Sequence, residues 1–230
     1  MKHFFAPLLA TLLLGTAAWA DFAKGNKTLS LYGGYFAPTT DYDYKPGSEE
    51  PVGGTGPAFG GQFLYYIKSM PAIAVGADLI SGLNGGRRDS DLLNGFDTTA
   101  RLRSLVGLAV ARLSYPRGEV RPYIFAGAGM HHSTQELSAQ PLNGVTWANG
   151  GTESRVLVDN QKTSAAMAYG IGLDLFPAES FFIGTELRSV WLAGLNTGDN
   201  AALRAEGFNV DDKRGVTQRY VMMHLGWVFK

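Results

Sequence analysis

Charged and polar side chains recur at isolated positions within apolar or glycine-rich segments of this 230-residue sequence. Carboxylates, an arginine and a histidine that share an enclosed space can form a buried ion-paired network. They can also form a gate, because histidine changes its charge near neutral pH. The residues to which these two interpretations apply are Gln62, Asp78, Glu186, Arg188 and His224.

A second group with potential chemistry is the segment His131-His132-Ser133-Thr134. A serine beside a histidine can act as a nucleophile when an acid orients the histidine, and Glu136 or Glu153 could be that acid. Adjacent histidines could also bind a metal, but no third ligand has a supporting spacing. The same side chains would also serve as polar groups at the end of a strand. We therefore predict no catalytic residue, no metal site and no cofactor.

The elements that must position these groups are β-strands. Large apolar residues occupy every second position of segment 217–230, and a period of two predicts a strand with one apolar face. Segment 100–115 could also be helical, but the turn at 115–119 and the clear strand after it favour a strand. The eight predicted strands are 27–37, 58–67, 72–81, 100–115, 121–132, 163–176, 181–192 and 217–230.

The connections between these strands alternate in length. Polar and glycine-rich loops are predicted at 38–57, 82–99, 133–162 and 193–216, and tight turns at 68–71, 115–119 and 177–180. An even strand number with short turns at one end and long loops at the other is typical of outer-membrane barrels. The sequence thus predicts an all-β fold, an eight-stranded antiparallel up-and-down transmembrane β-barrel with short periplasmic turns and long extracellular loops.

A soluble lipocalin is also an eight-stranded barrel, but its apolar face points inward around a ligand. In this sequence the face opposite the bulky apolar residues is rich in glycine, which suits a narrow lumen. We therefore expect the apolar face to meet lipid, and His224 to pair with Glu186 on the neighbouring strand. The polar residues assigned to the lumen are Gln62, Asp78, Arg103, Asp174, Glu186, Arg188, Tyr220 and His224.

Composition and the N-terminus agree with an exported β-protein. The chain has 30 glycines and 12% aromatic residues, and its 20 basic and 20 acidic side chains argue against nucleic-acid binding. Cysteine is absent, which excludes disulfides and thiolate sites. A basic start, an apolar stretch and Ala18-Trp19-Ala20 predict a cleaved signal peptide at 1–20 and a single barrel domain at 21–230.

At PYIFAGAG (122–129) and at the closing HLGWVF (224–229) the sequence resembles the OmpA/OmpX-type family of small outer-membrane β-barrels. The family pattern ends on the aromatic residue, whereas here Lys230 follows Phe229. The resemblance implies a bacterial outer-membrane location among outer-membrane lipids and lipopolysaccharide. It also implies that the barrel-assembly machinery recognises the C-terminal strand.

The function expected from this resemblance is a structural, adhesive or other surface-interaction role through the extracellular loops, without enzymatic activity. A narrow channel for ions or small solutes is the alternative. A lipid A hydrolase is a further alternative, because lipid A deacylases are barrels of this size that carry His-x-Ser-Asn. Here the segment His131-His132-Ser133-Thr134 lacks the asparagine.

Overall fold

A computed structural model describes residues 26–39, 55–83, 87–93, 95–194 and 215–230. The predicted signal peptide at 1–20 and most of the predicted loops at 38–57 and 193–216 lie outside these residues. Within them, no helix has the length and apolar character needed to cross a membrane.

The described chain forms nine β-strands. Eight of them, β1 to β3 and β5 to β9, close into a barrel, since β1 pairs with β9 and β3 pairs with β5, and every pairing is antiparallel. The ninth strand, β4, pairs only with β5 at one end of the barrel. The strands are β1 Lys27–Thr39, β2 Gly56–Ile67, β3 Met70–Leu83, β4 Arg87–Leu93, β5 Phe96–Ser114, β6 Val120–Pro141, β7 Arg155–Ala178, β8 Phe181–Ala193 and β9 Gly215–Phe229.

The register sets the tilt of the barrel strands. Following directly paired residues once around the barrel leads from Ala37 on β1 back to Lys27 on the same strand, an offset of ten residues. With a rise of about 3.3 Å per residue and a strand spacing of about 4.8 Å, this shear tilts eight strands by about 41°. Each residue therefore advances about 2.5 Å along the barrel axis, a value used for all heights below.

The outward face of the barrel carries an apolar belt about 25 Å tall, the thickness expected of a membrane-spanning barrel. Trp227 and Phe181 lie at its lower edge with ring centroids 6.0 Å apart, and Trp191 lies at its upper edge. So large an exposed apolar surface has to meet lipid, and closed barrels of this kind reside in outer membranes. Exposed belt residues include Leu31, Phe63, Leu79, Leu105, Ile124, Met130, Ile171, Leu187, Val221 and Leu225.

The predicted barrel and the strand at 100–115 are confirmed, but two predicted loops are wrong. The segment 82–99 contains β4, and β6 and β7 extend far into the segment 133–162, leaving 142–154 between them. These extensions lie beyond the apolar belt, where neither strand face meets lipid. In these parts of the strands, apolar and polar residues therefore do not alternate along the sequence. A search for apolar residues at every second position could not identify them as strands.

Candidate functional site

The five residues predicted to form the polar cluster all lie inside the barrel. Each occupies an inward position on its strand, and none is more than 3% exposed. Asp174 and Tyr220 also lie at buried, inward positions. Arg103, predicted to face the lumen, is exposed on the outer surface, because β5 has the opposite facing from the one we assigned. Its inner face carries Leu102, Val106, Leu108 and Val110 instead.

Arg188 is the centre of the lumen network. Its Nη2 lies 3.0 Å from Asp78 Oδ2, and its Nε lies 2.5 Å from Glu186 Oε1. The Tyr32 hydroxyl and the Gln62 amide donate to the same Asp78 oxygen, at 3.1 and 2.9 Å. One guanidinium thus pairs with two buried carboxylates, and two neutral donors stabilise the more distant one.

Asp174 forms a second group with Arg112 and His224. Arg112 Nη2 donates to Asp174 Oδ2, and His224 Nε2 lies 2.7 Å from Asp174 Oδ1. The expected pair of His224 with Glu186 is therefore wrong. His224 lies directly opposite Gly184, and a side chain at Gly184 would occupy the space between His224 and Asp174, so the glycine lets the imidazole reach β7.

Tyr123 connects the two groups. Its hydroxyl donates to Glu186 Oε2 at 2.8 Å, and the Arg112 guanidinium lies over its ring at 3.3 Å from the centroid. Sequence reasoning missed Arg112 and Tyr123. Arg112 was missed because the inner and outer faces of β5 were assigned the wrong way round. Tyr123 was missed because a tyrosine near the end of a strand also suits a lipid interface.

The network crosses the full width of the lumen. Arg188 on β8 and Asp78 on β3 are on opposite walls, four strands apart in either direction around the barrel. Ser104 on β5 and Gln218 on β9 are also four strands apart, and their side chains are joined by a 3.2 Å hydrogen bond. Contacts between opposite walls therefore cross the lumen at two levels.

We expect a reconstituted barrel to show no steady conductance in planar bilayers, and Glu186→Gln to behave in the same way. The Arg188–Asp78 and Ser104–Gln218 contacts still cross the lumen in that variant. Folding of each sample is checked by its heat-dependent gel mobility before insertion. A steady current through the wild type that changes in Glu186→Gln would establish the channel alternative.

The predicted serine–histidine group does not form a triad with either predicted acid. His131 Nδ1 lies 2.9 Å from Ser133 Oγ, and His131 Nε2 lies 3.0 Å from the Ala193 carbonyl oxygen, with His131 and Ser133 buried on the lumen side. Glu136 instead pairs with an arginine on the outer face, and Glu153 belongs to the β6–β7 connection. This geometry orients the imidazole through a backbone carbonyl.

His132 faces outward and hydrogen-bonds Thr163 Oγ1 at 2.9 Å, so the two adjacent histidines lie on opposite faces of β6. Within the described part of the chain, no group of three histidine or carboxylate side chains could hold a metal ion.

No protein-family model matches the sequence, and no curated protein matches it. Among solved structures, the chain is similar to Neisserial surface protein A, with 13% identity over 89% of this chain and 97% of that one, at a TM-score of 0.46. OprG from Pseudomonas aeruginosa has 14% identity, coverage of 90% and 98%, and a TM-score of 0.46. Ail of Yersinia pestis, solved with the heparin analogue sucrose octasulfate, has 18% identity, coverage of 90% and 99%, and a TM-score of 0.44. At these identities the likeness concerns the fold alone.

Proposed function

We propose that this protein is an outer-membrane barrel with a closed lumen, whose β6–β7 hairpin presents an interaction surface outside the cell. The length of the hairpin is the observation that carries the proposal. A membrane-spanning strand needs about 9 to 11 residues. The two hairpin strands have 22 and 24 residues, and β6 continues about 27 Å beyond Met130 at the upper edge of the belt.

The tip of the hairpin has a small core of its own. Trp147 is buried there against Phe96, with ring centroids 4.6 Å apart, and its Nε1 donates to the Glu153 carbonyl at 2.7 Å. The Arg155 guanidinium lies 4.9 Å from the Trp147 ring centroid, and its hydrogen bonds hold the pKa of Glu153 below its usual value. A connection ordered in this way can bind a partner without a large entropic cost of ordering.

The proposal includes the route to the membrane. Export would use the signal peptide at 1–20, and the barrel-assembly machinery would insert the domain at 21–230 through β9. What supports this route is the arrangement of β9, which closes the barrel against β1 and points Trp227 and Phe229 outward. The start of β1 and the end of β9 both lie at the short-turn end of the barrel. In outer-membrane barrels this end faces the periplasm, so the hairpin at the opposite end points away from the periplasm.

Removing the hairpin extension should abolish adhesion and leave the barrel intact. Gln135 and Asn160 are paired, so replacing residues 136–159 with Asn-Gly joins them through a tight turn. We expect bacteria that display the shortened protein to lose binding to epithelial monolayers and matrix-coated plates. Trp147→Ala should weaken the same binding because it removes the core of the tip, at a local cost of about 3–5 kcal/mol.

Arg101→Gln is the matched control, since Arg101 is exposed on the neighbouring strand and pairs with Glu136 at 3.7 Å outside this core. Surface display is measured by an epitope tag, and barrel folding by gel mobility. Adhesion that is unchanged in a displayed, folded protein without the extension would exclude the hairpin as the interaction surface.

A further inference from the structure

A groove of about 610 Å³ interrupts the lipid-facing wall of the barrel across β6 to β9. Ser189 forms its floor, Tyr169 and Arg219 lie on either side, and Ile171, Leu187 and Val221 line the wall below. Its volume is within the range of small-ligand sites, about 300–1,000 Å³. Unlike a site in a soluble protein, this groove opens into the membrane.

The groove follows directly from the register. Ser189 is paired with Tyr169 on one side and with Arg219 on the other, so a short side chain lies between two long ones. One row closer to the turn end, the outward residues are Val221, Leu187 and Ile171, all of them apolar. The result is an apolar groove along the outer wall of the barrel with the positively charged Arg219 at its upper side.

Arg219 lies near the upper edge of the apolar belt. It is eight residues from Trp227 on the same strand, which places it about 20 Å above the lower edge of the belt and about 2 Å below Trp191. Its side chain is exposed, and it has no hydrogen bond or ion pair with the portion of the chain that the structure describes. At this height an arginine is tolerated on the lipid face, and its guanidinium can extend to the level of the lipid headgroups, where anionic groups can pair with it.

We propose that this groove binds one phosphorylated glycolipid of the outer leaflet, of the lipid A type. A phosphate group pairs with Arg219, whose planar guanidinium offers two parallel donors to phosphate oxygens, and an acyl chain lies over Ser189. The outer-leaflet assignment rests on the orientation in the proposed function. The site itself is independent of the hairpin and of adhesion.

Native mass spectrometry of the detergent-purified protein, titrated with lipid A, tests the proposal. We expect Arg219→Gln to lower lipid A affinity by about tenfold or more, the loss typical of one charge-assisted contact. Ser189→Phe should give a similar loss because it fills the groove. The controls are Arg101→Gln, which removes an exposed arginine above the belt, and Thr185→Phe, which adds the same ring at an outward position on β8 outside the groove. Both should bind as the wild type does.

The lipid series distinguishes the sources of the phosphate. Dephosphorylated lipid A should bind the wild type as weakly as lipid A binds Arg219→Gln, and inorganic phosphate should not compete. Equal affinity for phosphatidylglycerol and lipid A, or competition by free phosphate, would overturn the assignment to a glycolipid. An equal loss in Arg101→Gln and Arg219→Gln would overturn the site. If the adhesion prediction fails while lipid A still binds as expected, only the proposed function is contradicted.

Discussion

Arg188→Met is expected to destabilise the barrel by about 3–5 kcal/mol, the cost of removing one partner from a buried ion pair. The side chains of Arg188, Asp78 and Glu186 are no more than 1% exposed, so neither carboxylate can recover its lost partner from bulk water. Methionine keeps most of the volume of the arginine stem. The loss therefore comes from two uncompensated carboxylates, not from an empty cavity.

The measurement is urea unfolding of the protein reconstituted in lipid vesicles, followed by tryptophan fluorescence. Combining Arg188→Met with Asp78→Asn and Glu186→Gln should recover most of the stability, because the three neutral side chains no longer leave an unpaired charge. An exposed pair gives the matched control, and Arg101→Met should cost less than about 1 kcal/mol. If the single and triple variants were equally destabilised, packing and not charge would be the role of Arg188.

Gly34→Ala should destabilise the barrel by about 3 kcal/mol, at the upper end of the usual cost of overpacking. Gly34 points into the lumen opposite Met222 on β9. A Cβ at this position would meet the Val221 carbonyl oxygen and lie 2.8 Å from Met222 Cα. Both are backbone atoms of the neighbouring strand, so a change of side-chain rotamer cannot relieve the contact.

The adjacent residue provides the control for this prediction. Gly33 points outward, and a Cβ there would have nothing within 4 Å, so Gly33→Ala should leave stability unchanged or slightly raised. Both variants are compared by the same urea titration. Similar stabilities for the two would show that β1 and β9 can separate enough to admit a methyl group inside the barrel.

Much of the fold could be predicted because lipid imposes a strict pattern on a barrel strand. Every second residue of β9, from Val221 to Phe229, is large and apolar, and a one-residue shift would turn that face into the lumen. Where both faces of a strand are apolar, this information is missing. On β5, Leu102, Val106 and Val110 point inward while Leu105 and Leu113 point outward, so hydrophobicity alone could not assign the facing.

The sequence by itself determined that the chain is a closed transmembrane barrel and that Gln62, Asp78, Glu186, Arg188 and His224 share its interior. Because successive side chains of a strand point to opposite faces, the pattern of neighbouring residues along the strand assigns each residue to a face. Which side chains meet depends instead on the shear of ten residues, a property of all eight strand pairings together. That shear brings Arg188 to Asp78 on the opposite wall and, with Gly184 between them, His224 to Asp174. Only the tertiary structure could decide those contacts, because they join residues far apart in the chain.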